Sequence, residues 1–240
     1  MFSYDSVLVE AVRTPIQDIA GVLRAMSAID AACVDTDGLK WFNWLYMTVT
    51  RAVEARIAVG GFTDADWLSE LDVQFAKLYF GALEAFLTGA ECPECWHVLF
   101  DRRERQEIAR VQFALAGINA HIDHDLPEAI FIACQKLQVT PQHGTGQYSD
   151  YTALNSTLDS LIGEAKRALN VRLPGDPLPP VSHLEDLIAS WGVTAARGNA
   201  WNNAEILWQL QATPLVAQGL LKSLDALTSF ASKALLVPVP

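Results

Sequence analysis

Apolar residues recur along this chain at intervals of three and four, the spacing of one face of a helix, and the two-residue alternation of a half-buried strand is nearly missing. Thr14-Pro15 with Gln17 reads as a helix start, and Ile16, Ile19, Val22, Leu23 and Met26 continue it, which predicts a first helix over 15–33. After punctuation at Asp35 to Gly38, a second helix over 38–59 carries Trp41, Phe42, Trp44, Leu45, Tyr46 and Val49 and stops at Gly60-Gly61. Aromatics around its whole circumference imply burial on several sides. A third helix runs from Thr63 or Asp64 to about Leu87, where Thr88-Gly89 ends it.

The middle of the chain predicts a helix over 92–100, a charged helical turn over 101–107 and an apolar helix to about His124, which Pro127 breaks and restarts. Residues 142–150 read as a loop, 151–170 as a helix and 173–180, rich in proline, as a stiff connector. Two more helices follow over about 182–210 and 214–236, with Thr213-Pro214 repeating the punctuation of Thr14-Pro15. The expectation is an all-α, single-domain bundle of about seven or eight helices spanning 1–240, with a broken central helix near Pro127.

Polar residues inside the apolar stripes locate the candidate chemistry. The third helix buries a stripe of Leu68, Leu71, Phe75, Leu78, Tyr79, Ala82 and Phe86, and Asp72 falls within it, so its carboxylate should face the core and need a partner. Between Gly117 and Pro127, two histidines and two aspartates interrupt an otherwise apolar segment. At about 100° per residue, Val111, Leu115, Ile118 and Ile122 share one side and His121 and Asp125 border it together, whereas His124 lies about 60° to the other side and Asp123 is nearly opposite.

That spacing suits two chemistries. Asp125 can orient His121 as a general acid or base, or His121 and Asp125 can bind a divalent metal ion with Asp72 or His124 as a third ligand. A third reading is structural: Asp125-Leu-Pro-Glu128 also has the form of a helix cap that merely restarts the chain at Pro127. Farther on, Arg197 shares a helix side with Trp201 and Trp208, and with Ser190 and Thr194; it can pair with Asp72, pair with Asp125 or hold an anionic substrate. Tyr46, Asn119, Tyr79 and Trp201 complete the set as candidate substrate-binding positions, Asn119 projecting about 160° from His121 on an ideal helix.

Charge and cysteine content narrow the class. A net charge of −11, from 28 acidic and 17 basic residues, with no basic patch free of counter-charge, argues against a nucleic-acid partner. The first ten residues lack a basic flank and no apolar run reaches membrane-spanning length, so a cytoplasmic location without a membrane span is expected. Four cysteines are too few for a disulfide scaffold, and Cys92-Pro-Glu-Cys95, with no second pair to complete a zinc site, reads as part of a helix start with reduced thiols.

The run from Asp37 to Tyr46 followed by Val49-Thr50, then Phe62 to Asp64, Leu71 to Ala76 and Tyr79, then Asn119, His121 and Asp125-Leu-Pro127, resembles the bacterial and fungal family catalogued as domain of unknown function 5995. Trp191 with Ala196-Arg197 and Ala200-Trp201 fits the same pattern, and the resemblance covers about residues 14–211. It implies a largely helical single domain in which Asp72, Asn119, His121, Asp125 and Arg197 belong to the family pattern, while His124 and the cysteine pair look peculiar to this chain. The family carries no established activity. A helix-borne His-x-x-x-Asp is also similar to one ligand pair of the helical zinc phospholipase C and single-strand nuclease group, but five histidines and a Met-Phe start depart from that pattern.

Two functions are therefore carried forward. In the first, the chain is a small-molecule enzyme, for hydrolysis, elimination or cyclisation, in which His121 carries the proton, Asp125 orients it, Asp72 is the second carboxylate and Arg197 fixes an acidic group. In the second, it is a binding or interaction protein whose polar cluster is a closed salt-bridge network. A cavity beside His121 is what separates them.

Overall fold

Every regular element in the computed structural model is helical among the residues it describes, 2–169 and 192–238. The expected connector over 173–180, the start of the helix over 182–210, and Ser190 and Trp191 lie outside the described residues.

The first departure from the sequence pattern is at the start. Leu8, Ala11 and Val12 bury one face of α1 (Asp5–Arg13), and Thr14, extended because Pro15 disfavours the helical region for the residue before it, ends this helix instead of starting one. The next helix, α2 (Ile19–Ala32), is capped by Asp18, whose carboxylate accepts the Gly21 N–H at 2.7 Å. A carboxylate four residues later out-competes threonine as the cap. Asp37 and Asp64 cap α3 (Gly38–Ala58) and α4 (Ala65–Thr88), and Gly60 and Gly89, both at positive φ, follow their ends.

A short α5 (Glu94–Asp101) comes next, and residues 102–109 then turn without forming the expected helical turn; α6 (Arg110–Ala120) starts beyond them. The break near Pro127 is a π-helical turn, His121–Asp125, which leads straight into α7 (Leu126–Leu137). Pro127 offers no N–H and its ring obstructs the carbonyl four residues back, so the ladder widens there: Leu126 N–H bonds to His121 O, five residues back. Residues expected as a loop form α8 (Gly146–Ala153), capped by Thr145, and α9 (Asn155–Leu169) follows after Leu154. The last two helices are α10 (Val193–Gln209) and α11 (Pro214–Leu235).

α3 packs on α6, α4 on α7, α7 on α10, and α11 lies against α5 and α6, so the π turn sits amid α4, α10 and α11. Two glycines allow the closest of these approaches: a Cβ on Gly117 would meet the Phe42 ring at 2.3 Å and one on Gly38 the Phe113 ring at 2.4 Å. That contact seats α3 against the helix that carries His121.

A buried ionic cluster ties α1 and α3 to the α5–α6 turn. Arg103 Nη2 reaches Asp5 and Asp37 at 2.7 Å each, Tyr4 donates to Asp37 at 2.9 Å, and the other Asp37 oxygen caps α3 at the Leu39 N–H. In sequence Arg103 sits in a mixed-charge run that looks solvated; in the fold it is 3% exposed. Removing one member of such a cluster leaves its partners charged and dry. Arg103→Ala is expected to destabilise the protein by about 3–5 kcal/mol in urea unfolding, whereas Arg105→Ala, at an exposed neighbouring ion pair, should cost less than about 1 kcal/mol.

Candidate functional site

The π turn presents His121, His124 and Asp125 together, all buried. Asp125 keeps helical backbone angles (φ −76°, ψ −36°) and caps nothing, which removes the reading of Asp125 as a helix restart. Its carboxylate instead accepts three hydrogen bonds: Oδ2 from Trp96 Nε1 at 3.0 Å and from His121 Nδ1 at 2.8 Å, and Oδ1 from His124 Nδ1 at 2.8 Å. Burial alone would raise the Asp125 pKa, but the two imidazoles hold it below the ordinary carboxylate range. An ionised carboxylate only accepts, so each histidine carries a proton on Nδ1.

His121 therefore turns Nε2 away from Asp125. Burial outweighs the carboxylate and lowers the His121 pKa, so the ring is neutral near pH 7 and Nε2 has a free lone pair. The ring stacks flat on Phe75, with centroids 3.4 Å apart, and meets the edge of Tyr46 at 4.4 Å. Nε2 is buried and has no hydrogen-bond partner among the described residues.

A cavity of about 80 Å³ adjoins this face, walled chiefly by Phe42, Leu68, Phe75, Ile118, Leu158 and Ile162. Four of the predicted residues border it: His121, Asp72, Tyr46 and Arg197. Among the described residues Asp72 Oδ2 is, like His121 Nε2, buried without a hydrogen-bond partner, and the Tyr46 hydroxyl, next to the buried Thr50 hydroxyl, makes no well-formed hydrogen bond either. Desolvation, helped by the charge of Glu54, raises the Asp72 pKa to about 7, which brings its titration into the neutral range. Desolvation and the charges of Asp72 and Asp125 keep the Tyr46 phenol protonated. Arg197 pairs with neither Asp72 nor Asp125. Its Nη2 donates to Tyr151 O at 2.7 Å and its Nε to Asn155 Oδ1 at 2.8 Å, with the guanidinium 3.9 Å from the Tyr151 ring centroid, so it joins α8, α9 and α10 at the cavity wall.

Other predicted positions lie elsewhere. Asn119 faces the opposite way, donating to Thr228 O and Ser232 Oγ on α11 at 3.0 Å each, as its angular offset from His121 implied. Tyr79 is buried between Phe42 and Trp96, outside the cavity lining. Trp201 packs on Trp67, Tyr148 and Tyr151 and donates to Glu205. Among the described residues His121, Asp125 and Asp72 do not converge as a metal-ligand set; the donor atoms that do converge are others. The sequence reading missed Trp96, because its partner is 29 residues away, and the His124 bond to Asp125, because an ideal helix turns His124 aside.

The raised Asp72 pKa carries a stability consequence with a definite sign. Between its unfolded value and about 7 the folded state holds a proton that the unfolded chain releases, so stability falls as pH rises through that window. Asp72→Asn is expected to be more stable than the parent at pH 8, on the order of 1–3 kcal/mol, with the difference shrinking toward pH 5 in denaturant titrations.

No curated protein and no solved structure matches the chain. The Family of unknown function (DUF5995) matches residues 19–238, farther toward the C-terminus than the sequence blocks alone reached, taking in all of α11. With nearly its whole length covered from α2 onward, the chain belongs to that family.

Proposed function

We propose that the protein is an enzyme acting by acid–base chemistry on a small, largely apolar molecule that carries one acidic or polarised group. The carrying observation is that three buried polar atoms without partners, His121 Nε2, Asp72 Oδ2 and the Tyr46 hydroxyl, belong to residues that border one apolar cavity. Buried polar groups are nearly always hydrogen-bonded, and three of the eight exceptions among the described residues gather around this one space, which suits a ligand that supplies the missing partners.

In this reading His121 Nε2 takes a proton from the substrate. Asp125 holds the ring in its Nδ1–H tautomer and stabilises the imidazolium as it forms, and Trp96 and His124 hold Asp125 in place. Asp72, with a pKa of about 7, supplies or accepts the second proton, and the Tyr46 hydroxyl orients the reacting group. Arg197 at the wall draws the substrate's acidic group. Hydrolysis, elimination and cyclisation all use this set. A purely structural network accounts for Asp125 and His124 but leaves the three unpartnered atoms unexplained.

The test uses hexanoate as an apolar probe with an acidic end. Imidazole nitrogen NMR of the full chain should show His121 titrating below an ordinary histidine, and hexanoate should shift its Nε2 signal saturably. Leu158→Phe, which fills the cavity, should abolish that shift while leaving the melting temperature within a few degrees of the parent. A His121 signal blind to hexanoate, or a response that persists in Leu158→Phe, would overturn the reading.

A further inference from the structure

At the π turn, three helical segments bring metal-binding atoms together. Cys95 Sγ from the first turn of α5, a ring nitrogen of His124 and a carboxylate oxygen of Asp225 on α11 lie within 4.8 Å of one another. Cys95 is fully buried and His124 is 7% exposed. With Nδ1 bonded to Asp125, Nε2 is the His124 nitrogen left to bind a cation.

We propose that Cys95, His124 and Asp225 bind one divalent cation of the zinc class. One sulfur, one nitrogen and one oxygen form a donor set that zinc accepts in tetrahedral geometry and that magnesium or calcium, which take oxygen ligands, do not. Zinc bonds of about 2.0–2.3 Å put neighbouring donors roughly 3–4 Å apart, a spacing that lies inside the 4.8 Å bounding the three separations.

The supporting contacts are in place. Asp125 accepts the His124 Nδ1–H, the carboxylate–histidine arrangement that orients a metal-bound imidazole. The backbone N–H groups of Glu94 and Cys95 donate to the two Asp225 oxygens at 2.9 and 2.8 Å, fixing that carboxylate beside the sulfur. Burial, then the charges of Asp125 and Asp225, push the Cys95 thiol far above its ordinary value, so without a cation the sulfur keeps its proton. Binding replaces that proton: the S–H bond breaks, a sulfur–metal bond forms and the thiol proton leaves to solvent; burial opposes a charge on His124, but Asp125 and Asp225 raise its pKa, so an Nε2 proton held on that ring leaves as well. The cation would join α5, the π turn and α11 independently of what the neighbouring cavity does.

The test takes untagged, reduced, full-length protein stripped with chelator and titrates it with zinc against a chromophoric competitor, then with cobalt. One ion per chain is expected, with a thiolate-to-cobalt charge-transfer band and the intense visible bands of tetrahedral cobalt. Cys95→Ser should abolish the charge-transfer band, and His124→Ala and Asp225→Asn should each weaken zinc about 10–100-fold. His97→Ala, elsewhere on α5, should change neither. Absence of stoichiometric binding, a cobalt spectrum without the sulfur band, or binding indifferent to His124→Ala would overturn the proposal; the cobalt spectrum of the parent protein decides even if a variant fails to fold.

Discussion

A single ionised carboxylate without water around it sets the terms for the centre of this molecule. Asp125 is 1% exposed, and an uncompensated charge there would cost several kcal/mol. Three donors compensate it, two from the same π turn and one from an indole on α5. That arrangement fixes the tautomer of both imidazoles. It also leaves their remaining nitrogens free of that carboxylate, with His121 bordering the apolar cavity and His124 outside its lining.

The π turn makes this geometry available. On an uninterrupted α-helix His124 would project well to one side of Asp125, and the shared carboxylate would be out of reach of one ring. Pro127 removes a ladder bond and the extra residue is taken up just before it, which rotates the three side chains into one cluster. The surrounding packing then does the rest. Gly117 lets Phe42 approach the helix ahead of the turn, Phe75 covers one His121 face, and α9 closes the cavity with Leu158 and Ile162.

Arg103 and Arg197 show two uses of a buried guanidinium. Arg103 is neutralised by Asp5 and Asp37 and holds α1 and α3 to the α5–α6 turn. Arg197 makes its bonds to a backbone carbonyl and an amide, with its charge resting on the face of Tyr151, so its positive charge is not cancelled by a paired carboxylate among the described residues. Both lie in a protein of net charge −11, yet neither could be told from a surface cation by composition.

Local patterns determined a good deal. The three-and-four spacing established an all-helical chain, glycines and capping aspartates placed both ends of α3 and α4, and the stripe around Asp72 put that carboxylate indoors, all because these depend on residues within a turn or two. The blocks from Asp37 to Arg197 also carried the family. What sequence spacing misjudged was competition between neighbouring signals, as when Asp18 displaced Thr14 as a cap or Thr145 started a helix where a loop was expected. Only the tertiary structure decided that Trp96 completes the Asp125 cluster, that Arg103 is buried, that Asn119 turns to α11, and that Cys95 and Asp225 meet His124. Those contacts join residues from 29 to 130 positions apart, and no local periodicity encodes which helix faces will be pressed together when the apolar core closes.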